Sequence, residues 1–303
     1  MSLVIVGSVA LDSVKTPFGE VDEALGGSAM YASMAAKNFC RTRIVGVVGE
    51  DFPQQHLDLL ASHGIDAQGL ARVPGRTFRW TGAYSDLNVA ETLDTQLNVF
   101  ASFKPELPDS YRKVPIVFLG NIDPSLQMRV LGQATGAQTI ALDTMNFWIS
   151  GAREKLLEVI RKVHILFINE DELRQLTGER NLFAAAARVR EMGARWIVVK
   201  QGEYGAMAVG PDFLFFAPPY PLGKVVDPTG AGDSFAGGCL GAIAEAGGLS
   251  PSGLRRGMLY GTVMASFNIE NFSLDRLATV DRTAIDARYA ELLSILRLDS
   301  GSL

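Results

Sequence analysis

Short apolar runs of strand length alternate with helical stretches along most of the chain, and this alternation is the feature that most restricts the fold. Residues 3–7, 43–48, 164–168 and 196–200 are such apolar runs, and residues 182–192 are one of the intervening helical stretches. The runs lack the polar alternation of a strand that has one face in water. Buried strands separated by helices are typical of a parallel sheet covered on both faces. The pattern therefore predicts an α/β fold with a doubly wound, mostly parallel sheet sandwiched by helices.

Two segments, residues 11–22 and 68–103, break this alternation because they are rich in strand and turn patterns. Within the second segment, residues 78–84 and 96–101 alternate between apolar and polar side chains, which predicts strands. These segments predict a small β-sheet lid over the mouth of the main sheet, where it would exclude water from a reaction. An ordinary edge hairpin fits the same pattern. We find no linker that would divide the chain, so residues 1–303 are expected to form a single domain.

Composition narrows the class of protein. The 303 residues include 28 basic and 33 acidic side chains, and this acidic balance disfavours a nucleic-acid partner, which would need clustered Lys and Arg. No apolar run reaches about 18 residues, so no membrane span is expected. The two cysteines, Cys40 and Cys239, lie far apart and form no CxxC motif. This usage fits a reducing, cytoplasmic location without a disulfide framework.

Several common catalytic motifs are missing. The chain contains no GxxxxGK[ST], no GxSxG and no HExxH, and its first strand ends without the GxGxxG of a dinucleotide-binding fold. The three histidines, His56, His63 and His164, do not follow a metal-ligand spacing. Walker-type nucleotide binding, triad hydrolysis, zinc chemistry and an ordinary dehydrogenase are therefore disfavoured.

The segment that indicates chemistry is residues 227–233, which read Asp-Pro-Thr-Gly-Ala-Gly-Asp and lead into a helix. The amides of Gly230, Ala231 and Gly232 precede or open this helix, where backbone N–H groups lack intrahelical acceptors and the helix dipole is positive. Such a turn suits a phosphoryl group. Asp233, in the first helical turn, could accept a proton from an alcohol that attacks this group. Alternatively, Asp233 only stabilises the helix start and the glycines only allow close packing.

This string resembles the signature of the ribokinase-like (PfkB) family of carbohydrate and nucleoside kinases, whose pattern is DTxGAGD followed by small residues. The resemblance extends from residue 4 to about residue 273. It implies transfer of the γ-phosphate of ATP to a hydroxymethyl group, with Asp233 as the base. It also implies that the amides of Gly230, Ala231 and Gly232 form the anion hole, and that a small β-lid covers the acceptor.

Other residues match the family pattern in the same order along the chain. Gly26 and Gly27 match its double glycine before a helix, where the missing side chains let a sugar approach the backbone, and Asp12 matches an acid that binds sugar hydroxyls. Asn121 is a candidate acceptor contact from its position after a strand. The nucleotide is expected to bind along a set of residues from the NxxE, KxGxxG and GAGD motifs: Asn169, Lys200, Gly202, Gly205, Gly230 and Gly232.

The resemblance also implies metal ions. Asn169 and Glu172 are expected to organise Mg²⁺ and the phosphates, partly through water, because Mg²⁺ keeps much of its hydration shell. The same two residues would also fit a capping box at a helix start. Asp227 and Thr229 are candidates for binding a monovalent cation such as K⁺.

The identity of the acceptor stays open. Ribokinase itself has Asn at a sugar-contacting position where this chain has Tyr31, which argues against a pattern identical to that of ribokinase. Aromatic residues of the lid segment could stack on a nucleobase or a sugar ring, or could form the core of the lid or a dimer contact: Phe78, Trp80, Tyr84, Phe100 and Phe103. The sequence thus predicts a kinase for a small sugar or a nucleoside. A non-catalytic, metabolite-binding regulator is the alternative from another class, and dimerisation through the lid is a further expectation.

Overall fold

The computed structural model describes residues 1–297. The strands, in chain order, are β1 Ser2–Val6, β2 Ala10–Thr16, β3 Gly19–Gly26, β4 Arg41–Gly49, β5 Asp66–Val73, β6 Phe78–Asp86, β7 Val89–Gln96, β8 Ile116–Leu119, β9 Thr139–Asp143, β10 Ile165–Asn169, β11 Trp196–Lys200, β12 Ala206–Gly210 and β13 Phe213–Ala217. The α-helices are α1 Ser28–Ala36, α2 Gln54–Ser62, α3 Asp109–Arg112, α4 Pro124–Leu131, α5 Asn146–Gly151, α6 Arg153–Ile160, α7 Glu170–Thr177, α8 Leu182–Met192, α9 Ala231–Glu245, α10 Pro251–Asn268, α11 Asp275–Thr279 and α12 Arg282–Ile295.

Nine strands form a large sheet in the order β13-β12-β11-β10-β9-β8-β1-β4-β5. Neighbouring strands from β11 to β5 are parallel, whereas β12 and β13 are antiparallel and extend one edge. Two apolar cores lie on the two faces of this sheet. The strand and helix pattern thus confirms the predicted α/β class. Polar residues at the carboxyl ends of parallel strands meet at one edge, the usual position of a binding site in such sheets.

Four other strands form a separate small sheet in the order β3-β2-β6-β7. The strands β2 and β6 are parallel, and each pairs in antiparallel fashion with an outer strand. Strand β7 lies at the edge of this sheet, and all its residues are exposed. The functions of this sheet as a lid and as a dimer contact stay predictions. The single domain over residues 1–303 also stays a prediction, and its residues 298–303 lie outside the described part.

Parts of the second predicted lid segment were assigned incorrectly. Residues 68–73 belong to β5, which pairs with β4 in the large sheet. Residues 96–101 are not a strand, because β7 ends at Gln96 and a 3₁₀-helix follows at Asn98–Ser102. Asn98 turns the chain with a positive φ of 48° and donates its side-chain amide to the carbonyl oxygen of Thr77. The apolar residues of this segment therefore pack with helical rather than strand spacing, and the ring of Phe100 stacks between those of Phe78 and Phe103.

The helix that begins with the predicted catalytic turn, α9, is packed between α1 and α10. All three helices are rich in small residues, and this composition lets their backbones approach closely. A Cβ atom added at Gly237 of α9 would lie 2.2 Å from the carbonyl oxygen of Ala32 in α1. The first half of α9 is therefore held close to the middle of α1.

A cluster of polar side chains joins the small sheet to the large one. Asp51, after β4, accepts hydrogen bonds from the amide and hydroxyl of Thr77 at 2.7 Å, and it pairs with Arg79 at 2.9 Å. Arg79 also donates to Glu23 of β3 at 2.7 Å. These bonds fix the point at which the chain enters β6. Within residues 1–297, every helix is too short or too polar to cross a lipid bilayer.

Candidate active site

The predicted catalytic turn has the backbone conformation that its glycines allow. Gly230 precedes α9 with φ of 74°, in the left-handed region that favours glycine, and Ser234 donates its amide to the carbonyl oxygen of Gly230 at 2.8 Å. The amide of Ala231 donates to the carbonyl oxygen of Pro228 at 3.1 Å, so this turn uses one of the three amides predicted for the anion hole. A phosphoryl group would therefore depend mainly on the amides of Gly230 and Gly232.

Asp233 lies in the first turn of α9, beside charged residues from β9, β11 and α7. Burial raises the pKa of its carboxyl to about 7, the negative charges of Asp143 and Glu172 act in the same direction, and Lys200 opposes them. A carboxyl with this pKa is half ionised near neutral pH. Because its pKa is close to neutral pH, this carboxyl can both accept a proton from an alcohol and release that proton afterwards.

A buried ion pair lies on one side of Asp233. The ammonium group of Lys200, at the end of β11, is 2.7 Å from Oδ2 of Asp143, at the end of β9. Burial tends to lower the pKa of Lys200, but the carboxylates of Asp143 and Glu172 outweigh it and raise this pKa. A Cβ atom at Gly232 would lie 3.0 Å from Nζ of Lys200. The ammonium group thus lies directly beside the catalytic turn.

Asn169 and Glu172 lie between the strands that carry this ion pair, at the start of α7. They form a capping box: the Asn169 side chain accepts from the Glu172 amide at 2.8 Å, and the Glu172 carboxylate accepts from the Asn169 amide at 2.9 Å. Burial raises the pKa of Glu172 to about 7. The capping alternative is therefore present in the structure, and the expected role in organising Mg²⁺ stays a prediction.

A second cluster lies on the other side of Asp233, at the base of the small sheet. Asp12, in β2, is only 5% exposed, and a Cβ atom at Gly26 would lie 1.9 Å from its Oδ2. Burial raises the pKa of Asp12 to about 8, and the nearby charges of Asp227 and Asp233 contribute to this rise. Gly27, with φ of 96°, brings the chain from β3 into α1 beside this carboxyl. The structure thus brings together the predicted acceptor residues Asp12, Gly26, Gly27 and Asp233.

The residues predicted to bind a monovalent cation take part in a hydrogen-bond network within the protein. Oδ1 of Asp227 accepts from the amide of Thr229 at 2.9 Å. The Thr229 hydroxyl donates to the Tyr84 hydroxyl at 3.2 Å. The backbone carbonyl oxygen of Thr229 accepts from the side-chain amide of Asn268 at 2.7 Å. This network connects the small sheet, the turn before α9 and the end of α10. Binding of K⁺ there stays a prediction.

The aromatic residues of the small sheet differ in their environments. Phe78 stacks on Phe100, which accounts for its position without a ligand. Trp80 pairs in register with Asp12 on the neighbouring parallel strand, so both side chains are on the same face of the sheet. The six-membered part of the Trp80 ring extends over Gly82, where a Cβ atom would lie 2.1 Å from it, and the indole N–H donates to Thr92 at 3.2 Å. This face therefore presents a half-buried indole plane near the predicted acceptor carboxyl.

The remaining predicted residues lie at the same edge of the large sheet. Asn121 follows β8, where its side-chain oxygen accepts from the Trp148 indole N–H at 3.0 Å and its side-chain nitrogen lies 3.0 Å from the Met145 sulfur. Gly202 begins a short 3₁₀ turn after Lys200 and Gly205 follows this turn, with φ values of 55° and 90°. The roles of these residues in acceptor and nucleotide binding stay predictions.

Sequence reasoning missed two residues of the site. Asp143 ends an apolar strand, so its position at the carboxyl end of β9 was a signal that could have been used. Asn268, on α10, bonds Thr229 and also accepts from the Ser234 hydroxyl at 3.2 Å. No local motif marks Asn268, since its partners are 34 and 39 residues away.

Comparison with known proteins gives a consistent result. A family model described as pfkB family carbohydrate kinase matches residues 3–276. The cytidine kinase of Thermococcus kodakarensis is 29% identical over 248 residues, which are 79% of this chain and 87% of that protein. The structure of Burkholderia thailandensis nucleoside kinase in complex with inosine superposes with a TM-score of 0.77 at 18% identity, covering 96% of this chain and 99% of that one. Arabidopsis thaliana ribokinase, complexed with ribose and ATP, gives a TM-score of 0.76 at 21% identity, covering 95% and 98%.

Proposed function

The chain belongs to the PfkB family of carbohydrate kinases and is a phosphotransferase that acts on an alcohol group, and we propose that it transfers the γ-phosphate of ATP to a primary hydroxyl of a nucleoside. The observation that carries the proposal is the position of Asp233. The residue lies between a cluster that suits phosphates, with Lys200 beside Gly232, and a cluster that suits hydroxyls, with Asp12 beside Gly26.

In this reaction, the hydroxyl oxygen of the acceptor attacks the γ-phosphorus while Asp233 accepts the proton of that hydroxyl. A new oxygen–phosphorus bond forms, the bond from the γ-phosphorus to the β,γ-bridging oxygen breaks, and ADP leaves with that electron pair. The amides of Gly230 and Gly232 hold the oxygens of the transferring group. Lys200 offsets part of its negative charge, because its ammonium group lies beside the same turn.

The nucleotide side of the site suits Mg²⁺·ATP. Three carboxyls lie near the single ammonium group of Lys200, those of Asp143, Glu172 and Asp233. Burial raises the pKa of Glu172, so a bound cation would stabilise the ionised form of this carboxyl. Within residues 1–297, no three acidic, His or Cys side chains are grouped so that they could hold a metal ion by themselves. Mg²⁺ would be held by Glu172, Asn169, phosphates and water, because this ion keeps much of its hydration shell. When bound, the ion would neutralise charge on the phosphates.

Two observations support a nucleoside rather than a free sugar as the acceptor. The indole plane of Trp80 shares a face of the small sheet with Asp12, so a base could stack on the ring while the sugar reaches the carboxyl. The Thermococcus kodakarensis relative, which aligns with most of this chain, is a cytidine kinase. A sugar kinase is the second candidate, since Asp12 and the double glycine would serve a free sugar equally well.

The substitution Asp233→Asn tests the role of the base. We expect turnover to fall roughly 10²- to 10⁴-fold, the usual contribution of a general base, while ATP binding measured by calorimetry is retained. Asp109→Asn is the matched control, because Asp109 is also an acid in the first turn of a helix but is exposed. Its helix, α3, bonds Asp66 at the start of β5, at the edge of the sheet opposite the site. Unchanged kcat in the Asp233 variant would refute the base assignment.

An acceptor screen tests the substrate class. ADP release is measured with cytidine, adenosine and inosine and with ribose, fructose and 2-keto-3-deoxygluconate. We expect a nucleoside to be preferred by at least ~100-fold in kcat/KM, about 2.8 kcal/mol of transition-state binding. An equal preference for a free sugar would contradict the nucleoside assignment and leave the phosphoryl-transfer mechanism standing. Absence of ADP release with every acceptor would contradict both.

A further inference from the structure

Gln127 is a fully buried polar side chain to which the reaction above assigns no role. It lies on the buried face of α4, and none of its surface is exposed. The other buried residues of this helix, Pro124 and Val130, are apolar. Burial removes the hydration of an amide, so each such group requires hydrogen bonds within the protein or another explanation.

The amide group of Gln127 bridges the ends of two neighbouring strands. Its Nε2 atom donates to the carbonyl oxygen of Gly120 at 2.9 Å and to that of Asp143 at 3.2 Å. Gly120 directly follows β8, and Asp143 ends β9. The register of these two parallel strands stops one residue earlier, where Leu119 pairs with Leu142. The side chain therefore connects the strand ends beyond the last backbone pair, at the edge of the sheet where the site lies.

These two bonds set the orientation of the amide group. Carbonyl oxygens can only accept, so the nitrogen of the Gln127 amide must face both of them. Within residues 1–297, the buried Oε1 atom of Gln127 has no hydrogen-bond donor. A buried polar oxygen without a protein donor opposes folding, and an apolar residue of similar size would not carry one. The stability of α4 therefore does not explain a glutamine at this position, whereas the two carbonyl groups that it binds do.

The bond to Asp143 acts on the peptide unit beside the site. The carbonyl group of this unit is held by Gln127, and its N–H group, which belongs to Thr144, donates to Oδ1 of Asp143 at 2.8 Å. A trans peptide unit is planar and its C=O and N–H groups point in opposite directions, so holding one group fixes the other. The second carboxylate oxygen, Oδ2, is 2.7 Å from the ammonium group of Lys200, which lies beside Gly232. A continuous series of contacts thus connects the Gln127 amide to the catalytic turn.

We propose that Gln127 is a positioning residue for phosphoryl transfer, which fixes the Asp143 carboxylate and, through it, the Lys200 ammonium group beside the catalytic turn. This inference rests on the proposed function and adds to it a buried residue that acts only through its neighbours. An ammonium group stabilises a transferring phosphoryl group best when it is already in place before the reaction. Without the Gln127 amide, the carboxylate and the ammonium group are both still present, but the peptide unit that orients them is no longer held.

The substitution Gln127→Met tests the inference, because it keeps the length of the side chain and removes both donors. We expect kcat to fall roughly 10- to 100-fold, the usual effect of a small misplacement of catalytic groups, and the melting temperature to fall because two carbonyl oxygens lose a donor. Gln133→Met is the matched control: the Gln133 side chain also donates to two carbonyl oxygens, those of Pro105 and Arg129, at 3.0 and 3.1 Å. These oxygens do not belong to the strand ends at the site. The control variant should therefore melt at a lower temperature and keep the wild-type kcat.

A double-mutant cycle with Lys200→Met separates positioning from a general structural role. In the protein that already lacks the ammonium group, Gln127→Met should reduce kcat by less than about twofold, because the group that it positions is absent. A residue that only stabilises the fold would reduce kcat by the same factor in both backgrounds. Asp143→Asn is a second background, in which the carboxylate is absent, and the same small effect is expected there.

A milder variant keeps the test valid if Gln127→Met does not fold. Gln127→Asn removes a single methylene group and disturbs the packing less, but its shorter amide does not reach both carbonyl oxygens, so kcat should fall here as well.

Three results would overturn the inference. Wild-type kcat in the folded Gln127 variants would show that the amide does not position the ion pair. Equal factors in the wild-type and Lys200→Met backgrounds would show that Gln127 is only structural. An equal loss of kcat in Gln133→Met would show that any similar disturbance at this end of α4 is sufficient. These outcomes leave the kinase intact, whereas a wild-type protein that phosphorylates no acceptor would refute the proposed function, and this inference with it.

Discussion

The charges around Asp233 predict a specific pH dependence of activity. The base acts as a carboxylate, and its pKa of about 7 means that at pH 6 only about a tenth of the protein has it ionised. We therefore expect kcat/KM to fall roughly tenfold between its plateau and pH 6, because kcat/KM reports the ionisation of the free enzyme. An ordinary Asp, with a pKa near 3.8, would give no such fall.

Two substitutions should move this acid limb in opposite directions. Asp143→Asn removes a negative charge that raises the pKa of Asp233, so the limb should shift to lower pH, whereas Lys200→Met removes a positive charge that lowers the pKa and should shift it to higher pH. Even at about 10 Å and an effective dielectric constant of about 20, one unit charge contributes about 1.7 kcal/mol, or about 1.2 pKa units. Shifts on the order of one pH unit are therefore expected.

The assay is the pH profile of kcat/KM from pH 5 to 9 at constant ionic strength, measured by ADP release. Lys155→Met is the matched control, since Lys155 forms an exposed ion pair with Glu158, also at 2.7 Å, on α6. Its profile should coincide with that of the wild type. Shifts in the same direction for the Asp143 and Lys200 variants, or a wild-type limb near pH 4, would refute the electrostatic reasoning whatever the height of the plateau.

Two more predictions concern stability. The pKa of Asp12 is raised from 3.8 to about 8 in the folded state, so its favourable contribution to the free energy of unfolding is complete below about pH 4 and is lost as the pH rises through 8. Asp12→Asn should thus raise the melting temperature by several degrees at pH 8 and by little at pH 4. A gain in melting temperature that is independent of pH would contradict this. Gly230→Ala should lower the melting temperature and the turnover, because the left-handed conformation costs about 1–2 kcal/mol and the new Cβ overlaps the Tyr31 ring. Combining it with Tyr31→Ala should recover part of the lost stability, and strictly additive losses in unfolding experiments would exclude the overlap.

Much of the fold could be predicted because its determinants are local. Runs such as residues 164–168 are buried on both faces of the large sheet, so their uniform apolar character follows from their position between two helical layers. The two wrong assignments have the opposite origin. Residues 68–73 carry a weak, partly polar pattern because β5 is an edge strand, and its membership in the large sheet is decided by pairing with β4, more than 20 residues earlier in the chain. In residues 96–101, the position of Phe100 is determined by its stacking on Phe78 of β6 and on Phe103, which the alternation of the segment does not show.

The site divides in the same way. Residues 230–233 are adjacent in sequence, and the helix that they begin fixes their relative positions, so the motif alone predicts a glycine turn at a helix start. It did not predict that the amide of Ala231 bonds the carbonyl oxygen of Pro228. The Lys200–Asp143 ion pair could not be predicted, since it joins residues 57 apart across the end of β10 and depends on strand order. Likewise, Trp80 and Gly82 are close in sequence, so their contact is local. The proposed role of the Trp80 ring depends on Asp12, which becomes a neighbour of Trp80 only through the parallel pairing of β2 and β6.

The glycines of the motifs explain why sequence reasoning finds this site but describes only part of it. Each leaves room for a side chain from a distant segment: Asp12 at Gly26, Tyr31 at Gly230 and Lys200 at Gly232. A glycine in a motif therefore marks a place where another group comes close, but it does not name that group. The same property makes the partners testable in pairs. A bulkier residue at such a glycine displaces a particular charge or ring, so its effect on activity should follow the function of the displaced side chain rather than the size of the substituent.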